Sequence, residues 1–222
     1  MSRKMKDSGV EWIGGIPEHW NIKKLKKLTS KIIDGTHSTP NYISSGIPFL
    51  RVTDITVSDG TKQDIDWERT AYISIEEHEE LIKRCFPEKG DLLVSKNGTI
   101  GVPRIVDWET PFSIFVSLCL IKPIESVEVM YLYYYFKSSL IWTEVAIGGK
   151  TGTITNLHLD KIKEFKIPIS SIDEQQEIAD FLDKKCKAID DSITKKQELI
   201  EKLEIYKKSL IYEYVTGKKE VK

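Results

Sequence analysis

The longest unbroken pattern of apolar and polar positions lies near the C-terminal end. From Ser171 to Thr216 there is neither Gly nor Pro. Ser171 and Glu174 have the S-x-x-E spacing of a capping box just after Pro168, and Gly217 stands where a C-terminal cap belongs. The spacing predicts one helix over Ile172–Val215, which would run about 66 Å. A domain built from the other ~170 residues would be only roughly 35–40 Å across. The helix is therefore expected to project beyond its own domain and to need a partner. Ile189, Ile193, Ile200, Leu203, Leu210 and Tyr214 trace a heptad seam in which Lys196 and Lys207 fill two positions. Upstream, Ile178, Phe181, Leu182 and Cys186 form a broader stripe. The seam reads as a coiled coil. The plainer alternative is an amphipathic helix folded back on its own domain, which would bury only part of that length.

Before the helix the pattern is mixed, so the fold class is α+β: one domain over residues 1–168 followed by a helical segment over 169–222. Strands are expected at Asn21–Leu28, Phe49–Val52, Asp91–Ser95, Pro103–Val106 and Phe112–Ile121, with helices at Ile75–Arg84 and Val129–Trp142. Residues 29–48, rich in Ser, Thr, Gly and Pro, read as a long loop, and loops of that length are more often functional than idle. Two Trp around a Gly/Pro turn, Trp12 to Trp20, read as a surface-docking segment. Glycine turns stand at Lys96–Gly101 and Gly148–Thr153.

The net charge of −1 gives no global nucleic-acid signature, but the local distribution is uneven. Residues 1–33 carry eight Lys/Arg against three Asp/Glu, and residues 184–222 carry eleven against seven, whereas 61–95 carry five against nine. Basic segments on such a body can still form a phosphate-facing surface. Cys85, Cys119 and Cys186 are scattered, which fits a reducing cytosol, and the four histidines share no metal-ligand spacing. No apolar run reaches the ~20 residues of a membrane span, and the charged N-terminus is unlike a signal peptide. A cytoplasmic location is expected.

The candidate chemistry points to binding rather than catalysis. Gly149-Lys150-Thr151 is like the end of a phosphate-binding loop, but the full pattern needs Gly where Glu144 stands, and the turn follows a helix. A basic turn meeting a DNA phosphate or a plain surface loop fits better. His37 has no Ser or Cys nucleophile motif beside it, leaving a loop donor to a base or phosphate, or a loop-internal hydrogen bond. Lys96-Asn97-Gly98 suits a tight turn and also carries residue types that read guanine and adenine edges. The Tyr131–Phe136 cluster cannot share one helix face, so most of it is expected in the core.

Several segments together resemble one family, the specificity subunits of type I restriction–modification systems. They are Asp7–Gly14 with Ile16–Trp20, Asp34–His37 with Gly46–Arg51, Gly90–Ser95 with Gly98–Gly101, and Ile167-Pro168 with Glu174–Ile178 and Phe181–Asp183. The resemblance implies a chain without catalytic activity. It would read one half of a split double-stranded DNA target and scaffold methyltransferase (modification) subunits beside a restriction motor-nuclease subunit. It implies no cofactor in this chain, with S-adenosylmethionine and ATP used by the partner subunits. Members of the family usually carry two recognition domains and two helices. One of each here resembles a half-subunit, pairing antiparallel with a second copy of itself or with another half-subunit. Base contacts are then expected from loops at 34–42, 96–104 and 148–158, with His37, Arg51, Lys96, Asn97, Arg104, Lys150, Thr151 and Asn156 as candidates. Dimerisation falls to the six seam residues named above. The rival readings are a coiled-coil interaction protein that sequesters methyltransferase subunits without reading DNA, and a standalone enzyme, which the missing cofactor motifs disfavour.

Overall fold

A computed structural model describes residues 3–56, 65–146 and 156–221. The chain forms two compact units, Met1–Ala179 and Asp180–Lys222. In chain order the first unit contains β1 (Met5–Asp7), β2 (Gly15–Pro17), β3 (Asn21–Lys24), a 3-10 turn (Leu25–Lys27), β4 (Thr29–Asp34), β5 (Ile47–Leu50), α1 (Val52–Ile55), β6 (Ala71–Ile73), α2 (Ile75–Ile82) and β7 (Leu92–Ser95). There follow β8 (Pro103–Ile105), β9 (Ser113–Ile114), β10 (Leu118–Pro123), α3 (Val129–Lys137), α4 (Leu140–Ala146), α5 (Leu159–Lys163), β11 (Lys166–Ile169) and α6 (Ile172–Val215), which runs on into the second unit.

The central sheet has the order β4-β10-β7-β8, with every neighbouring pair antiparallel. Its inner strands are buried on both faces, and alternate residues feed two different cores. Leu92, Val94, Cys119 and Ile121 face a core built with Leu132, Phe136, Ile162 and Phe165. Leu93, Leu118 and Leu120 face a second core with Leu50, Phe112 and Ile114. A strand with two apolar faces loses the polar alternation of a half-exposed one.

This double burial explains a correction: the stretch Phe112–Ile121, expected as one strand, is two. β9 pairs in parallel with β5 in a second sheet, β6-β5-β9, and β10 turns into the central sheet after residues 115–117. The expected loop 29–48 is likewise shorter, because Thr29–Asp34 is an edge strand. The expected helix Val129–Trp142 breaks at Ser138, which is extended (φ −78°, ψ 163°) and whose hydroxyl donates to the Tyr135 carbonyl at 2.7 Å.

The aromatic helix α3 is largely core, as its crowding predicts. Tyr131 and Tyr135 are buried one helical turn apart, and their hydroxyls donate to the Pro168 and Lys166 carbonyls at 2.6 and 3.3 Å. Residues four apart on a helix and two apart on a strand are spaced alike, at about 6–7 Å, so one helix face matches β11. Burial pushes both phenol pKa values up, so these hydroxyls remain donors.

The first turns of α6 are fixed by two adjacent residues. The capping hydroxyl of Ser171 accepts from the Glu174 amide at 3.4 Å, but the Glu174 carboxylate turns to the N-terminal arm instead of closing the box. It takes Arg3 at 2.7 Å, and His19 Nε2 and Trp20 Nε1 at 2.9 Å each. The Trp-containing segment is thus partly spent on an internal tether: Trp20 also stacks edge-on with Tyr131. Gln175 is fully buried. Its Oε1 accepts from the Glu128 amide at 3.0 Å, while its Nε2 donates to the Ser126 and Ser170 carbonyls at 3.1 Å.

In the second unit α6 continues without interruption to Val215 and ends at Gly217, whose φ of +67° is the left-handed cap conformation glycine supplies at least cost. Among the described residues no helix is long and apolar enough to cross a membrane.

Candidate nucleic-acid interface

The register of the central sheet gathers separate loops at one of its ends. Asp34, the last residue of β4, lies opposite Cys119, and Ser95, the last residue of β7, lies opposite Leu118 at the start of β10. The loops that leave this end are tied to one another through their backbones. The Lys96 amide donates to the Ser117 carbonyl at 2.9 Å, and the Ser117 hydroxyl accepts from the Val52 amide at 3.0 Å, next to Arg51. Thr36 bridges Phe115, Asn97 bridges Asn156, and the Leu157 amide donates to the Lys96 carbonyl at 2.7 Å. Gly35 is required by closeness: a Cβ there would lie 1.9 Å from the Ile114 carbonyl oxygen, which is backbone and cannot swing away.

Asp34 is the electrostatic centre of this end. It is 3% exposed, and Lys96 Nζ and Arg84 Nη2 each donate to its carboxylate at 2.7 Å, with His37 Nε2 3.2 Å away. Arg84 Nη1 also donates to the carbonyls of Asp34 and Gly35 at 2.6 and 2.8 Å, holding the backbone as well as the side chain. Burial alone would raise the Asp34 pKa. The hydrogen bonds from Lys96 and Arg84 and the nearby Lys96 charge outweigh it and bring the value from 3.8 down to about 2. Beside this cluster is a cleft of about 330 Å³ lined by Thr36, His37, Ser38, Arg84, Cys85 and Ser113, among others. The Cys85 thiol on its wall is pushed up to about 11 by burial and stays protonated. His78, behind Ser113, is buried with Nδ1 2.9 Å from the Ser113 hydroxyl, and burial lowers its pKa.

The expected contact residues divide into groups. His37 and Asn156 are exposed, and Arg51 is half-buried, with its Nε 3.3 Å from Asp54 Oδ2. Asn97 is partly buried, and its side-chain oxygen has no hydrogen-bond partner among the described residues. These four share the sheet end. Lys96 and Arg104, expected at loop tips, require correction as to position. Lys96 is 5% exposed, with its ammonium consumed by Asp34. Arg104 is 7% exposed within β8, opposite Leu93, with its guanidinium 5.5 Å from the Trp108 ring and Nη2 3.3 Å from Asp107. Lys150 and Thr151 lie outside the described residues. Asp34 and Arg84 carry no sequence signal that marks them for this end of the sheet. They are fifty positions apart, and no spacing rule joins them.

The second unit carries the heptad seam in the open. Ile189, Ile193, Ile200, Leu203 and Tyr214 are 40–57% exposed, and Leu210 is partly exposed. Ile205, Tyr212 and Val215 are exposed too and belong to other heptad positions, so apolar surface in the last turns extends past the seam. Lys218 caps part of it, with Nζ 4.3 Å from the centre of the Tyr212 ring.

Comparison with known proteins finds consistent likenesses. A family model described as the type I restriction modification DNA specificity domain matches residues 17–202. The specificity subunit of type I restriction enzyme MjaIX from Methanocaldococcus jannaschii is 31% identical over 209 residues, covering 88% of this chain and 44% of that protein. A putative type I restriction enzyme specificity subunit from Haemophilus influenzae is 35% identical over 143 residues, covering 64% of this chain and 33% of its own. A solved chain from a study of complex assembly and conformational transition of the type I R-M system aligns with a TM-score of 0.72 at 18% identity, over 94% of this chain and 48% of that one. The HsdS subunit from Thermoanaerobacter tengcongensis aligns at 0.57 and 20% identity, over 83% and 41% respectively. These two likenesses establish a shared fold. The chain spans about half the length, or less, of the curated relatives it matches.

Proposed function

The chain belongs to the type I restriction–modification DNA specificity family, and from that membership we propose that it is a non-catalytic DNA reader for one half of a split target and a scaffold for methyltransferase subunits. The observation that carries this reading is the sheet end: loops from five parts of the chain are tied together by a buried ion cluster and mutual hydrogen bonds. Sequence readout depends on side chains held at fixed positions against base edges, whereas phosphate contacts only set register. His37, Arg51, Asn97 and Asn156 are the described candidates for that readout, and Lys150 and Thr151 remain candidates from the sequence. Methyl transfer from S-adenosylmethionine and ATP-driven steps belong, in this reading, to partner subunits.

The second unit supplies the other half of the proposal. Its exposed seam needs a complementary helix, and a second copy of the chain presents an identical one. Antiparallel pairing would put a recognition unit at each end of the pair, and the pair would read inverted half-sites across a fixed spacer. The test is retention of duplex DNA by the chain purified with its methyltransferase subunit, combined with sedimentation to count copies. Sequence-selective retention that weakens steeply with salt is expected, with two copies per complex. A complex that retains all sequences equally, or none, would favour the rival in which the chain only sequesters methyltransferase subunits. A stable monomer at micromolar concentration would remove self-pairing.

A further inference from the structure

The Asp34–Lys96 pair joins elements that do not touch along the sheet. β10 stands between β4 and β7, so their chains are two strand spacings apart, about 9–10 Å. A lysine just past the end of β7 is long enough to carry its charge across β10 to a short acidic side chain at the end of β4. The pair is at 2.7 Å with both side chains about 95% buried, so neither charge is offered to a ligand. Each partner is the first anchor of a loop. After Asp34 come Gly35, Thr36 and His37. After Lys96 come Asn97 and the turn to Gly101, braced by Ser95, whose hydroxyl donates to the Thr99 carbonyl at 2.5 Å and accepts from the Val102 amide at 2.8 Å. Arg84, just past the end of α2, holds the Asp34 side and is independent of Lys96.

From this geometry we infer that Asp34 and Lys96 are positioning residues that couple the His37 loop to the Asn97 turn, so that base discrimination depends on a buried pair that never meets DNA. The inference rests on the DNA-reading proposal above and assigns its specificity to a named internal contact. A phosphate-binding lysine would act in the opposite way, since its loss weakens binding to all sequences and flattens the salt dependence.

The test substitutes Lys96→Met, which leaves Asp34 paired with Arg84, and runs the complex with its methyltransferase subunit against a randomised duplex library. Wild type is expected to enrich a half-site motif. The variant is expected to keep the salt dependence of its non-specific retention while losing about tenfold or more in discrimination against single-base changes. Thermal melting checks the fold, and Asp34→Asn with Lys96→Met, which removes both charges, carries the test if Lys96→Met alone melts early. A folded variant that selects the wild-type motif with wild-type discrimination overturns the inference, as does a flattened salt slope. Failure of both variants to fold would also overturn it, reducing the pair to a stability element. A wild-type complex that enriches no motif would instead count against the DNA-reading proposal itself.

Discussion

Replacing Gln175 with alanine should be among the most damaging single changes in the first unit, although it removes only one neutral side chain. Gln175 satisfies three backbone groups from three places: the Glu128 amide, the Ser126 carbonyl and the Ser170 carbonyl, at 3.0–3.1 Å. It is fully buried, so truncation would leave those groups facing a void. Each net hydrogen bond is worth about 1 kcal/mol, and more where a buried group is left unpaired, so three lost bonds total about 3 kcal/mol or more. For a unit of this size that corresponds to a fall in Tm of about 6 °C or more. Urea unfolding followed by tryptophan fluorescence is a suitable assay, because Trp20 sits beside the same helix turn, donating to Glu174 and stacking on Tyr131. Gln175→Glu should be no better than alanine, since it loses both donated bonds and aims a carboxylate at two carbonyls. Glu177→Ala, two positions on and exposed, should stay within about 0.5 kcal/mol of wild type. A Gln175→Ala loss below about 1 kcal/mol would show that these three bonds do not anchor the start of α6.

Two further outcomes follow from the same structure. The Asp34 carboxyl titrates at about 2 in the fold against an ordinary 3.8, so its ionised form contributes about 2 kcal/mol above pH 4, and this is lost as pH falls through about 2. The stability gap between wild type and Asp34→Asn should therefore narrow between pH 4 and 2 in melting experiments, and a constant gap would contradict the assignment. On the second unit, Ile200→Asp with Leu203→Asp should raise the dissociation constant of self-pairing at least about a hundredfold by sedimentation, with the melting of the first unit unchanged. Unaltered pairing would move the interface off this seam.

How much was legible in the sequence depended on how local the signal was. The helix from Ile172 to Val215 was legible at both ends, because capping residues and a long apolar period act within a few positions. The mixed fold class was legible for the same reason. The Thr29–Asp34 strand was hidden because an edge strand can carry Ser30 and Lys31 outward, and its flanking glycine and proline belong to the loop that follows. The Phe112–Ile121 stretch concealed its break because both faces of β10 are buried, which erases the alternation that marks a strand. The positions of the candidate contact residues were legible only in part. His37, Asn97 and Asn156 do stand at one end of the sheet, but Lys96 and Arg104 were expected at the surface because loop lysines and arginines usually are. Only the crossing of β10 brings Lys96 to Asp34, sixty-two positions away, and no local pattern records that.

In the proposed function, two paired copies read inverted half-sites. Comparing the DNA methylation pattern of cells with and without an intact copy of this chain tests it most directly. One split methylated motif is expected to disappear, with two half-sites that are inverted copies separated by a constant spacer. Two unrelated half-sites would contradict pairing with an identical copy, and an unchanged methylation pattern in a cell with active methyltransferase subunits would contradict DNA reading altogether.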